Sequence, residues 1–186
     1  MPFDRPQNRS LAAAGFTLIE LMLALAIAAI LAAGALPMVG NALEAGRAQE
    51  ARSNLLSSFV VALNKATVTG ARTVLCPSTG DVCIDSAEWS GGWLVFIDKN
   101  GNRERDSDER IVNQQPGLGG KVRLRSTEGR KRIVFQGSGS NAGSNVTFTL
   151  CDGRGPAKAQ TLVLSNTGRM RYGVPGSEAI AATCPR

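Results

Sequence analysis

From Leu21 to Leu43 no residue carries a charge. Wound as a helix at about 1.5 Å per residue, that run reaches roughly 35 Å, enough to cross a bilayer. What precedes it narrows the choice further. Residues 1–15 are polar, carry Arg5 and Arg9, and end in Ala13–Ala14–Gly15. An ordinary secretory signal places its apolar stretch before a small-residue cleavage site; here the small residues come first. The basic flank predicts an N-terminus held inside, with everything beyond the helix exported. Glu20 sits in the first helical turn, where the helix dipole favours negative charge, yet a carboxylate in an apolar segment needs a partner. Pro37 predicts a kink or a local opening between Gly34 and Gly40.

Beyond the membrane segment, Leu55, Phe59 and Leu63 repeat at helical spacing, flanked by Leu56 and Val60, while Glu44, Arg47, Glu50 and Arg52 fill polar positions. This stripe predicts an amphipathic helix to about Ala66, stopping before Thr69–Gly70 and packing against a sheet. Short β candidates follow at Thr73–Leu75, Trp93–Ile97, Ile111–Val112, Lys121–Arg125, Ile133–Phe135, Asn145–Leu150, Thr161–Leu164 and Arg169–Tyr172, separated by Gly, Pro, Ser and Asn clusters. Residues 136–145 read as a mobile hairpin-like loop. The fold class is α+β: a long N-terminal helix packed on an antiparallel β domain. The chain divides into a leader at 1–15, a membrane helix at 16–42 and a globular domain at 43–186, and its 186 residues suit one such domain.

Histidine is absent, which removes the commonest general base and metal ligand. No nucleophile–base pair can be named, so no enzyme and no cofactor is expected. Cys76, Cys83, Cys151 and Cys184 form no CxxC pair, and an exported domain uses such cysteines as disulfides. Of three possible pairings, Cys76–Cys83 with Cys151–Cys184 is favoured, because each pair lies within one half of the domain; four buried thiols are the alternative.

Gly15–Phe16–Thr17–Leu18–Ile19–Glu20–Leu21 followed by the apolar run resembles the class III signal of type IV pilins and type II secretion pseudopilins. The resemblance implies cleavage after Gly15 by prepilin peptidase, N-methylation of Phe16, and pairing of Glu20 with the amino terminus of a neighbouring pilin during assembly. It implies an inner-membrane protein that later enters a pilus at the cell surface. Downstream, Cys76–Pro77–Ser78, Trp89–Ser90–Gly91–Gly92–Trp93, Cys151–Asp152–Gly153–Arg154–Gly155 and Leu164–Ser165–Asn166–Thr167–Gly168–Arg169 are similar to the FimT/GspH branch of minor pilins and pseudopilins.

Three segments are candidates for binding. In Gly168–Arg169–Met170–Arg171 the two arginines are spaced to share one face of an extended chain and hold phosphate oxygens. Gly168 lets the backbone turn there. Arg154 and Lys158 join them if their loop folds over the same end. The net charge of +6, or +5 once Met1–Gly15 with Arg5, Arg9 and Asp4 is removed, suits a polyanion. A GRxR motif in FimT-type pilins is associated with DNA binding in natural transformation, so the resemblance implies sequence-tolerant capture of DNA by its backbone. The alternative is a structural minor pilin, or a secretion pseudopilin that primes or caps assembly without DNA. The second segment, Lys121–Arg125 with Arg130–Lys131–Arg132, is a rival basic patch; Lys121, Arg123 and Arg125 share a face while Val122 and Leu124 point inward. The third, residues 98–109, spaces oxygen ligands like a calcium loop with Glu109 at its end, but its glycine falls at position 4, and a turn at Asn100–Gly101 explains it equally. No metal site is expected.

Overall fold

The fold comes from a computed structural model that describes residues 15–143 and 145–184. The leader, Met1–Ala14, lies outside the described residues. Two compact units are present, one ending at Val39 and the other beginning at Gly40. Helix α1 (Leu18–Thr69) contributes to both.

In the first unit, Thr17 opens α1: its Oγ1 accepts the Glu20 N–H at 3.3 Å. That is one half of a capping box, satisfying a helix-terminal donor that would otherwise have no partner. The apolar side chains are exposed, from Phe16 at 84% to Leu31 at 68%, the state of a segment built for lipid or for other subunits. Helical structure continues through Pro37, so the expected opening is not present. Proline withholds a single N–H, and the turns to either side stay bonded.

In the second unit, α1 ends with Thr69 Oγ1 donating to the Lys65 carbonyl at 2.7 Å and Gly70 at φ +68°. The helix thus runs one turn beyond the expected Ala66, because Thr69 supports the last turn and Gly70 supplies the left-handed residue that stops it. Ten strands follow: β1 (Arg72–Thr79), β2 (Val82–Cys83), β3 (Trp93–Asp98), β4 (Ile111–Gln115), β5 (Arg123–Ser126), β6 (Ile133–Phe135), β7 (Asn141–Ala142), β8 (Val146–Cys151), β9 (Gln160–Leu164) and β10 (Met170–Gly173). They build two antiparallel sheets. One has the order β4-β3-β1-β6-β7, with β2 hairpinned onto β1; the other has the order β10-β9-β8-β5.

One face of each sheet meets α1. The helix buries Ala48, Ala51, Leu55, Phe59, Ala62 and Ala66. Against these lie Leu75, Trp93, Val95, Ile133 and Phe135 from the first sheet, and Val122, Leu124, Val146, Phe148, Leu162 and Leu164 from the second strand set. The stripe therefore follows alanines more than the expected leucines. Leu63 is only partly buried and Val60 is 48% exposed, since small residues let the helix settle close to both sheets. A polar link ties helix to first sheet inside the core: Trp93 Nε1 donates to Ser58 Oγ at 2.9 Å, and Ser58 Oγ donates to Asn113 Oδ1 at 2.9 Å.

Two further elements escaped the sequence reading. Helix α2 (Ser177–Thr183) packs on β8 and β5, on the face away from α1. Residues 136–143 are not a free hairpin loop. Asn141 is buried, pairs with Phe135 across β6–β7, and donates its side-chain amide to the Ser165 carbonyl at 2.7 Å. Both disulfides, Cys76–Cys83 and Cys151–Cys184, are formed; the second pins the end of α2 to β8.

Candidate nucleic-acid interface

Strand β10 is an edge strand whose four residues are all exposed. Side chains alternate along it. Tyr172 faces α1, with the Arg52 guanidinium 4.9 Å from its ring centroid. Arg171 therefore points to the opposite, outer face of the second sheet, in one row with Val163 of β9 and Thr147 of β8. Arg169 lies at the end of the turn that feeds β10. Three hydrogen bonds set that turn: Gly168 N–H to the Ser165 carbonyl at 3.0 Å, Arg169 N–H to Ser165 Oγ at 3.0 Å, and Ser165 N–H to the Arg169 carbonyl at 2.8 Å. Gly168 has φ +78°, a conformation that L side chains avoid, so glycine is required for this turn. Arg169 and Arg171 are exposed, and neither forms an ion pair among the described residues.

The structure does not bring Arg154 and Lys158 to this turn. Their loop joins β8 to the start of β9, whereas the Gly168 turn leaves the end of β9, so the two sit at opposite ends of a five-residue strand. Arg154 is also committed elsewhere. Its Nε and Nη2 donate to Asp152 Oδ1 and Oδ2 at 3.0 and 2.7 Å. Burial works against the Asp152 charge, but the Arg154 side chain and main-chain N–H outweigh it and hold the carboxyl below its ordinary range. Lys158 lies exposed on a short 3-10 turn at that same far end.

The rival basic segment divides in two. Arg123 and Arg125 lie on β5, the opposite edge of the sheet, on its outer face, while Val122 and Leu124 enter the core. Arg125 is neutralised by Glu88 and Glu128. Lys121 is exposed, with its main chain rather than its ammonium engaged: its N–H donates to Glu44 Oε2 at 3.3 Å. Arg130, by contrast, contacts segment 139–143, which also bonds to the Gly168 turn. Its Nη1 donates to the Ala142 carbonyl at 3.0 Å, while neighbouring Asn141 takes its N–H to the Asn166 carbonyl at 3.0 Å and its side chain to Ser165. Segment 139–143 thus touches Arg130 on one side and the Gly168 turn on the other. Sequence separation concealed both contacts, which rest on the segment that β6–β7 pairing fixes.

The 98–109 loop turns its carboxylates onto itself. Asp98 accepts the Gly101 and Arg103 N–H groups at 2.7 and 3.3 Å, and Glu109 accepts those of Lys99 and Asp106 at 2.7 and 3.2 Å. Asp106 Oδ2 accepts the side-chain amides of Asn100 and Asn102. These oxygens brace a tight loop with Gly101 at φ +79° instead of converging on one point. No group of three or more acidic, Cys or His side chains suited to a metal occurs among the described residues.

Comparison with known proteins agrees with this architecture. The family model for type II transport protein GspH matches residues 51–168, and that for the prokaryotic N-terminal methylation motif matches residues 11–36. Pilin-like protein PilA1 of Thermus thermophilus is 32% identical over 164 residues, spanning 84% of this chain and 96% of the relative. The type IV minor pilin FimU of Pseudomonas aeruginosa has a similar fold. One crystal form gives a TM-score of 0.54 at 14% identity, over 81% of this chain and 98% of that one. A second gives 0.50 at 14% identity, over 76% and 96%. The match to the transport-protein model stops at Gly168, one residue before Arg169.

Proposed function

This chain belongs to the GspH family of pilin-like proteins, and within that family we propose that it is a minor type IV pilin that holds extracellular DNA by its backbone during natural transformation. Pilins and pseudopilins are structural proteins, and the methylation motif implies processing by prepilin peptidase and packing with other pilins. Peptidase cuts after Gly15 and methylates Phe16. Glu20 then pairs with the new amine of a neighbour as the subunit leaves the inner membrane.

The observation that supports DNA contact is the pair Arg169 and Arg171: exposed, free of carboxylate partners among the described residues, and presented by a glycine turn at a sheet edge. Guanidiniums so placed bind phosphate oxygens bidentately and carry no base selectivity. Arg154 and Lys158 take no part, being at the other end of β9.

The test is an electrophoretic shift with a duplex oligonucleotide at low salt, using the detergent-solubilised chain and the double variant Arg169→Gln/Arg171→Gln. Affinity falls at least tenfold and the salt slope shrinks by about two. Unchanged affinity removes the proposal and leaves the alternative, a subunit that primes or caps assembly without DNA. That alternative predicts lost piliation instead.

A further inference from the structure

We propose that Arg103 and Arg130 form a phosphate-binding site in the open cleft between the 98–109 loop and the β5–β6 turn. The cleft holds about 490 Å³ and is walled by both arginines together with Asn102, Gly129, Lys131 and Arg132. Three acids also border it, but each is engaged. Asp85 pairs with Lys131 and Arg132, Glu104 with Arg132 at 2.6 Å, and Glu128 with Arg125. Once these pairs cancel, Arg103 and Arg130 are the cations of the cleft without a carboxylate among the described residues.

Arg130 is the more telling of the two. Its Nη1 is satisfied by the Ala142 carbonyl, yet Nε and Nη2 are buried and donate to no acceptor. A buried nitrogen donor without a partner is rare and costly, and here two such nitrogens belong to one charged group. Burial first, and then the positive Arg103 nearby, disfavour the charge on Arg130. Arg103 is held in place by its backbone: φ is +65°, the one non-glycine left-handed residue described, fixed as its N–H donates to Asp98 Oδ2. Two like charges are thus kept side by side in the wall of the cleft. A tetrahedral dianion offers acceptors to both guanidiniums and relieves their repulsion. A backbone phosphate of DNA and free inorganic phosphate share this chemistry. The site does not depend on Arg169 or Arg171.

Thermal melts of the solubilised chain in phosphate, in sulfate and in chloride at matched ionic strength test it. Phosphate and sulfate raise the midpoint by several degrees, since a ligand that binds only the folded state stabilises it. Arg130→Gln abolishes the rise. Arg103→Gln, at an exposed position, also loses most of the rise. Arg169→Gln/Arg171→Gln keeps it. Equal midpoints in phosphate and chloride, or a full rise in Arg130→Gln, overturn the site. Duplex titration then identifies the source: a DNA salt slope reduced by about one in each single variant assigns a backbone phosphate, and an unchanged slope assigns the free anion.

Discussion

Glu44 Oε2 accepts the main-chain N–H of Gly153 at 3.0 Å, across 109 positions of sequence. The same oxygen takes the Lys121 N–H at 3.3 Å, and Oε1 takes Arg47 Nη1 at 2.6 Å. One carboxylate on α1 therefore fastens two loops, before β5 and after β8, to the helix. The Gly153 N–H, followed by Arg47 and Lys121, holds the Glu44 carboxyl below its ordinary 4.5.

Glu44→Ala is expected to destabilise the globular unit by on the order of 1 kcal/mol, read by urea denaturation. A depressed folded pKa means the contribution is complete above 4.5 and is lost as pH falls through the folded value. The difference between wild type and Glu44→Ala therefore narrows below pH 4.5. A difference that persists undiminished at low pH contradicts this role.

Arg154→Gln leaves Asp152, which is only 4% exposed, without its guanidinium. Loss of one partner of a buried pair costs about 3 kcal/mol. Adding Asp152→Asn recovers much of it, because an amide carries no unpaired charge. DNA affinity of the folded protein stays unchanged in both variants, in contrast to Arg169→Gln/Arg171→Gln.

Gly168→Ala forces a side chain into φ +78° with its Cβ 3.4 Å from the Gly139 carbonyl oxygen. The expected penalty is about 1–2 kcal/mol. Because the turn aims Arg169, DNA affinity drops along with stability. Gly119→Ala, where an added methyl meets open space, changes neither and serves as the control.

Replacing Cys151 and Cys184 by Ser opens a closure of 33 residues, and replacing Cys76 and Cys83 opens one of 7. Chain entropy assigns about 4 kcal/mol to the first and about 2 kcal/mol to the second. Melting under reducing conditions should show the same order, with α2 released first, since its C-terminus is held by Cys184. Equal losses would mean native-state packing, not loop closure, dominates.

Much of this molecule was legible in one dimension. The uncharged run after Glu20, the amphipathic stretch of α1, the positions of most strands and the glycine turn before Arg169 and Arg171 all follow from local pattern, because helix period, strand alternation and glycine turns act over a few residues. Local pattern was silent where short elements borrow stability from distant ones. Asn141–Ala142 pairs with β6 and bonds to Ser165, and Ser177–Thr183 packs on β8 and β5 beside the Cys151–Cys184 anchor.

The chain alone determined that a lipid-length helix heads an α+β domain and that two arginines follow a glycine near its end. Tertiary structure decided which cations keep company. Strand direction sent Arg154 and Lys158 to the far end of β9, where Asp152 binds the former, and the fold set Arg130 beside Arg103 and the Ala142 carbonyl. Charge is written residue by residue, but its neighbours are set by which strands pair and in which direction they run, and those pairings join residues far apart in sequence.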